Sequence, residues 1–277
     1  MTKKKIIGIV LIAIGLFCVF GAFSINAGAP EKAEVISNAV YVSDGKVLPE
    51  NEGKVVIVPG TLVAAPFVDP ETGIVIHDMV AYRKVEKLAS VEKTKNDKTY
   101  EVWSWRESYD KNEYGGCEKL VAPNVSLGEF KVASELVQSI TLYGQRSEYD
   151  KKELNQQGWN VFTDNGYVYL STEDYMPDED DSVTRLNRDY RHSLRVSYTE
   201  MAGGFEYTVV GLQKDGQLVR VPDVTLQAIH SGHLTQAEIL ESEESSAKGG
   251  MIIAIVGAVV CLAAGAFLIV KKEKQAA

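Results

Sequence analysis

The chain is apolar at both ends and polar in between. Ile6–Phe23 and Met251–Val270 are runs without a charged residue. Each approaches the ~20 residues that a helix needs to cross a ~30 Å hydrocarbon core. Lipid offers no partners to backbone N–H and C=O groups, so both runs are expected to be helices. The roughly 225 residues between them are patterned differently: short apolar and β-branched runs alternate with turn residues, as in strands. This is enough chain for one sizeable core or two small ones.

Within that stretch, Lys54–Val58 reads as a buried strand stopped by Pro59-Gly60, with Thr61–Ala64 as its possible resumption. Met79–Val91 and Tyr100–Trp105 flank the polar turn Thr94–Lys98 and predict a long antiparallel hairpin. Alternation along its second strand puts Tyr100, Val102 and Ser104 on one face and Glu101, Trp103 and Trp105 on the other. Phe130, Ala133, Val137 and Ile140, with Leu136 beside them, follow a helical period. Two hairpins are marked by their turns: Val161–Leu170 around Asn165-Gly166, and Tyr207–Val221 around Asp215-Gly216. Thr235–Glu238 forms a capping box that starts a helix through Leu240, and Gly249-Gly250 separates that helix from the second apolar run as a possible hinge. The expected fold is α+β, a β-dominated antiparallel extracytoplasmic domain anchored by an N-terminal and a C-terminal transmembrane helix. The expected divisions are a tail at 1–5, a span at 6–23, a linker at 24–50, the β-rich domain at 51–248, a span at 251–270 and a tail at 271–277.

Charge orients this layout. Lys3, Lys4 and Lys5 precede the first run, and Lys271, Lys272 and Lys274 follow the second. The inner flanks are mixed or acidic, with Glu31, Lys32 and Glu34 on one side and Glu238, Glu241, Glu243 and Glu244 on the other. The positive-inside bias therefore predicts cytoplasmic termini and a central domain outside the cytoplasm or in a lumen. The first run also has the basic start of a signal peptide, with a small-x-small site at Ala27-Gly28-Ala29. Its length and the following Pro30 favour an uncleaved anchor, and bulky Phe17 beside Cys18 disfavours lipid attachment.

The whole chain carries −9; the terminal Lys3–Lys5 and Lys271–Lys274 contribute +5 of that, leaving −14 for the rest. Such a domain is expected to bind no nucleic acid, since phosphate contacts need clustered Lys and Arg. Cys18 and Cys261 lie in the apolar runs, so Cys117 stands alone in the central domain. It can form no intradomain disulfide and supports no thiolate zinc site.

Candidates for chemistry are few. His230 and His233 have a spacing that can meet a metal, but no HExxH or Cys pattern accompanies them. Two surface polar residues before a helix cap are the plainer reading. Asp178–Asp181 offers oxygen ligands for calcium but lacks the alternating register of a calcium loop, so a solvated acidic loop is the favoured reading. Trp103 and Trp105, with Tyr100 and Tyr109, could form a binding face, although same-face aromatics on a strand usually belong to the sheet core. Asn124-Val125-Ser126 is a glycan acceptor triplet that matters only in a eukaryotic secretory lumen. No Gly-x-Ser-x-Gly elbow and no phosphate-binding glycine loop occurs. No catalytic, cofactor-binding or metal-binding residue is therefore assigned, and no cofactor is expected. In the apolar runs Gly257, Cys261 and Gly265, flanked by Ala254 and Ala258, make a small-residue face, and Gly8, Gly15 and Ala22 a looser one. Such faces let helix backbones approach closely, so the two helices are expected to pack on each other or to mediate self-association.

Several segments taken in order resemble the LUMA family, also called transmembrane protein 43. They are Asn51–Gly60, Tyr82–Glu86 with Tyr100–Trp105, Leu194–Tyr198, Thr208–Gly211, Gly216–Val219, Ile229–Gly232 and Thr235–Glu238, spanning Asn51 to Glu241. The resemblance implies a multi-pass protein of the endoplasmic reticulum and inner nuclear membrane. It also implies a large lumenal domain, a role in organising envelope partners and no enzyme activity. This chain departs in having one apolar run after the domain, Met251–Val270, where the family carries several. A bacterial member at the cell membrane fits as well as a eukaryotic one at the endoplasmic reticulum or nuclear envelope. The leading expectation is a non-enzymatic scaffold or membrane-organising interaction protein whose partners are the bilayer and other membrane proteins. The alternatives are a ligand-sensing extracytoplasmic module, with a concave site near Trp103 and Trp105 or the acidic run, and a cryptic metal-dependent enzyme using His230 and His233.

Overall fold

The computed structural model describes residues 3–95, 98–149, 160–164, 166–171, 194–200 and 205–270. Two long helices flank a β-rich body, as the periodicity predicts. Helix α1 (Lys3–Ser37) is followed by β1 (Val40–Tyr41), β2 (Val55–Ala64), β3 (Phe67–Val68), β4 (Val75–Ile76), β5 (Val80–Lys95) and β6 (Lys98–Glu107). Next come β7 (Glu118–Val121), β8 (Val125–Leu127), β9 (Phe130–Val132), the short helix α2 (Ser134–Val137) and β10 (Gly144–Gln145). The chain continues through β11 (Asn160–Asp164), β12 (Tyr167–Ser171), β13 (Leu194–Glu200), β14 (Glu206–Lys214), β15 (Gln217–Val219) and β16 (Ile229–Ser231), and closes with helix α3 (Gln236–Val270).

The strands form two large sheets and the small β3–β4 ribbon. In the first sheet β2 pairs with β8, β8 with β9, β9 with β15, β15 with β14, and β14 again with β2, so the ring closes like a barrel. Closure leaves less of the sheet edge exposed. The pairings are antiparallel except β1–β2 and β9–β15. The ring encloses Val56, Val58, Leu127, Phe130, Val209 and Leu218 among other buried apolar side chains. In the second sheet the order is β11-β12-β13-β5-β6, with β7 on β5 and β10 on β13. Its core contains Ile74, Ile76, Val85, Val168, Val196 and Tyr198.

The hairpins fall where the turns placed them. β5 and β6 pair from Glu86↔Glu107 to Lys95↔Lys98. β11 and β12 pair from Asn160↔Ser171 to Asp164↔Tyr167. β14 and β15 meet across Asp215-Gly216, both at positive φ, as a two-residue turn demands. Three expectations need correction. Pro59-Gly60 does not stop the strand: β2 runs through it to Ala64. The β1 pairing reaches only Ile57, so Pro59 lies where that edge is open, and there its missing N–H costs least. Phe130–Ile140 is not one helix but β9 followed by the single turn α2. Its periodic residues are nevertheless all buried; pairing with β8 and β15 overrides the local period. The proposed linker 24–50 is largely structured, since α1 continues to Ser37 and β1 follows.

The fourth difference concerns Gly249-Gly250, which is no break. Helix α3 is continuous over 35 residues, and α1 has the same length, giving each about 52 Å at 1.5 Å per residue. A bilayer core uses ~20 residues of that, so roughly four turns of each helix rise out of the membrane as a stalk carrying the sheets. The helices run antiparallel and touch through their smallest residues. A Cβ added at Gly8 would lie 2.8 Å from the Gly265 carbonyl oxygen, and one at Gly265 would lie 2.7 Å from that of Gly8. The small-residue faces are thus used within the chain.

Candidate functional site

Hydrogen bonds and apolar contacts join the two helices to the first sheet. Thr235 caps α3 as its sequence predicts: Thr235 N–H donates to Glu238 Oε2 at 2.8 Å and Glu238 N–H to Thr235 Oγ1 at 3.3 Å. The Thr235 backbone N–H and its hydroxyl, which also donates to Oε2 at 2.8 Å, hold the Glu238 carboxyl below its ordinary range. The next residue, Gln236, donates from Nε2 to the carbonyls of Ile36, Ser37 and Ala39, at 2.6, 3.0 and 3.2 Å. The start of α3 thereby adds a side-chain donor to carbonyls at the end of α1, where helical partners run out. Beneath it, Ile36 and Ala39 of the first helix end pack with Ile239 of α3 and with Ile57 and Val210 of the first sheet. Gln236→Ala is expected to lower the melting temperature of the domain, with a loss of about 0.5–1.5 kcal/mol from the missing hydrogen bonds; an unchanged melt would show that water replaces the amide.

One turn further along α3, Glu243 accepts from Lys32 Nζ of α1 at 3.3 Å and from the Gln227 backbone N–H at 3.0 Å. Both helices and the loop before β16 meet in this one carboxylate. On β16 itself, His230 is buried and its Nε2 lacks a hydrogen-bond partner. Burial pushes its imidazole below the ordinary range, against the opposing pull of Glu243 and a bond to the Gln227 backbone. His233 is instead exposed, 3.3 Å from Tyr41 Oη, which donates to the Leu234 carbonyl. The structure therefore separates the two histidines rather than aiming them at one point. Among the described residues no group of three or more His, Cys, Asp or Glu side chains is placed to hold a metal ion. A histidine that is neutral when folded gives a definite sign. Stability is full above the unfolded value near 6.5 and falls as pH drops below it toward the lower folded value, because the unfolded chain binds the proton more readily. Melts at about pH 7.5 and 5 should show this loss, and His230→Phe should reduce it; an equal loss in the variant would place the effect elsewhere.

A second polar constellation lies inside the second sheet. Arg83 and Asp69 are both fully buried and 2.6 Å apart. Arg83 also donates to the Gly116 carbonyl at 3.0 Å and to Glu118 at 3.1 Å. Tyr198 Oη donates to Asp69 Oδ2 at 2.6 Å and accepts from Thr72 Oγ1 at 2.6 Å. Burial first, then the Asp69 charge, drives the Tyr198 hydroxyl well above its ordinary range, so it remains a donor. Asp69, Thr72, Arg83 and Tyr198 are buried and satisfy one another, with exposed Glu118 at the rim, which makes the network a structural lock. It was not legible in the sequence, where Asp69 stands beside a proline and Arg83 on a strand.

Of the aromatic strand, Trp105 packs within the sheet. The Trp105 ring meets Tyr169 edge-on at 5.8 Å, and the Arg195 guanidinium lies 4.7 Å from Trp105 and 4.1 Å from Tyr167 while pairing with Glu86 at 2.8 Å. The Trp103 and Tyr100 side chains, the turn residue Asn165 and the acidic run Asp178–Asp181 lie outside the described residues. Tyr109 is exposed and donates to Glu107. Cys117 is a buried thiol that donates to the Val85 carbonyl. Asn124 is exposed between β7 and β8. Open space is found elsewhere, in a cleft of about 550 Å³ between α1 and α3 just below the Lys32–Glu243 tie.

A β-rich body on two apolar helices, each long enough to cross a membrane, defines an integral membrane protein. Residues 107–274, more than half the chain, match the family described as transmembrane protein 43. The chain belongs to that family. The match takes in Leu194–Tyr198 and the later segments named above and extends through the second apolar helix, while Asn51–Gly60, Tyr82–Glu86 and Tyr100–Trp105 precede it. Comparison with curated proteins and with solved structures returns no match.

Proposed function

We propose that this protein is a non-enzymatic membrane scaffold, whose sheets are held in a set orientation above the bilayer for other membrane proteins to engage. The observation that carries this is the junction. Gln236, the Ile36–Ile239–Ile57 core and the Lys32–Glu243–Gln227 tie join both helices to the first sheet without a flexible linker. A domain tied at both ends has few orientations and a high effective concentration for partners in the same membrane. The polar constellations described above are internally satisfied or separated, which suits a binding body better than a reaction centre. The lysine-rich tails support cytoplasmic termini with the domain on the opposite side, at the cell membrane of a bacterium or in an endomembrane lumen of a eukaryote. Protease added to the cytoplasmic side of sealed vesicles should leave the domain intact; cleavage of the domain there would reverse the orientation.

Mild crosslinking in intact cells, followed by purification and mass spectrometry, tests the scaffold role. A consistent membrane partner, or the protein itself as a defined oligomer, is the expected result. Recovery of monomer alone would overturn it. A sensing role is the second reading, favoured by the cleft at the junction, where occupancy could reach both helices.

A further inference from the structure

The two helices are held together within the membrane and again at the top of the stalk, with open space where they leave the membrane. In the membrane, backbone meets backbone at Gly8 and Gly265. At the top, Lys32 pairs with Glu243 and Ile36 packs with Ile239. Between these ties, a Cβ placed on Gly28, which lines the larger cleft, would meet no atom within 4 Å. The helices enclose a cleft of about 550 Å³ there, walled by Ala29 and Ala247 and reaching Gly250. A second, of about 300 Å³, shares Ala29, Ala33, Glu244 and Ala247 and reaches Met251. Small side chains rather than a break in either helix create this space.

Its position and charge select an occupant. The apolar span of α1 ends at Ala22, and Gly28 is about 9 Å further along at 1.5 Å per residue. Met251 begins the apolar run of α3. The smaller cleft, which reaches Lys248 and Met251, therefore opens at the headgroup layer of the leaflet on the domain's side, about 5–8 Å thick, and the larger cleft continues directly above that layer. The larger cleft is lined by the carboxylates of Glu31, Asp223, Glu243 and Glu244 against one cation, Lys32, which is already paired with Glu243. The volume is in the range of small-ligand sites. Lys248, beside Glu244 at 3.1 Å, borders the smaller cleft on the membrane side. We propose that this cleft binds the ammonium-bearing headgroup of a phospholipid from that leaflet, with the ammonium among the carboxylates and the phosphate toward Lys248.

The full-length protein, purified in detergent and titrated with phosphatidylethanolamine or phosphatidylglycerol, tests this by lipid retention in native mass spectrometry. Retention of the ethanolamine lipid should exceed that of the glycerol lipid by about fivefold or more, the factor expected for one unit-charge contact near 4 Å in a wet site. Gly28→Leu with Ala247→Leu should fill the cleft and abolish the preference, while the unliganded melting temperature holds. Glu31→Lys with Glu244→Lys should reverse the preference. Equal retention of the two lipids, or an undiminished preference in the filled variant, would overturn the proposal. So would saturable binding of free ethanolamine as tight as that of the lipid, which would make this a soluble-amine site. The scaffold reading stands or falls separately on partner recovery.

Discussion

Asp69→Ala is expected to be the most damaging single change in the domain. It leaves the Arg83 guanidinium buried with one ion partner, the half-exposed Glu118, and leaves Tyr198 Oη without its acceptor. Removing one member of a buried pair typically costs about 3–5 kcal/mol, because the remaining charge is stranded in a poorly polarisable interior. Total stabilities are only ~5–15 kcal/mol, so the second sheet should melt many degrees lower or fail to fold. Replacing both partners by apolar residues of similar volume, Asp69→Leu with Arg83→Met, should cost less than Asp69→Ala alone. Thermal melts in detergent distinguish the two. A single variant within about 1 kcal/mol of the parent would mean that water reaches this network.

Gly8→Ile with Gly265→Ile is expected to separate the membrane halves of the helices. The new side chains would begin less than 3 Å from carbonyl oxygens of the facing helix, with Ile12 and Ile269 also in the way. Overpacking costs about 1–3 kcal/mol per site, and here the opposing atoms are backbone and cannot swing aside. Geometry provides a reporter, because a Cβ at Gly257 would lie 3.9 Å from Cys18 Sγ. In a Cys261→Ala background, Gly257→Cys should give an oxidative intrachain crosslink to Cys18, and the double isoleucine variant should lose it. A crosslink that persists would show that these glycines are incidental to the packing. Loss of an intermolecular crosslink instead would assign the small-residue face to self-association.

Much of the architecture was legible because the signals are local. An uncharged run of 18 or 20 residues, an Asn-Gly or Asp-Gly turn between alternating strands, and a Thr-x-x-Glu cap each act within a few residues. The helices, the β11–β12 and β14–β15 hairpins and the start of α3 follow from them. The local signals failed where pairing with distant strands decided the outcome. Pro59-Gly60 remains inside β2 because β14 and β8 hold its two halves. Phe130–Val132 is a strand because β8 and β15 flank it.

The candidate sites were less legible. Lys32 and Glu243 are 211 residues apart, and Gln236 reaches carbonyls about 200 residues earlier. Nothing in the spacing of either segment announces the other. The same holds for Asp69, which meets Tyr198 across 129 residues. The separate fates of His230 and His233 were equally hidden, since one lies on β16 and the other just past Gly232, where positive φ turns the chain.

By itself, then, the sequence determined that this is a chain with two membrane helices around a β-rich body, of the transmembrane protein 43 family, with an acidic domain and one cysteine in it. Those properties rest on composition, on short periodicities and on family likeness. Tertiary structure alone decided that the helices extend unbroken beyond the membrane, that their glycines face each other, and that the small residues above leave a cleft ringed by carboxylates. A cleft or a buried ion pair exists only when chain segments far apart in order are brought within a few ångströms, and that proximity is set by the closing of the whole fold.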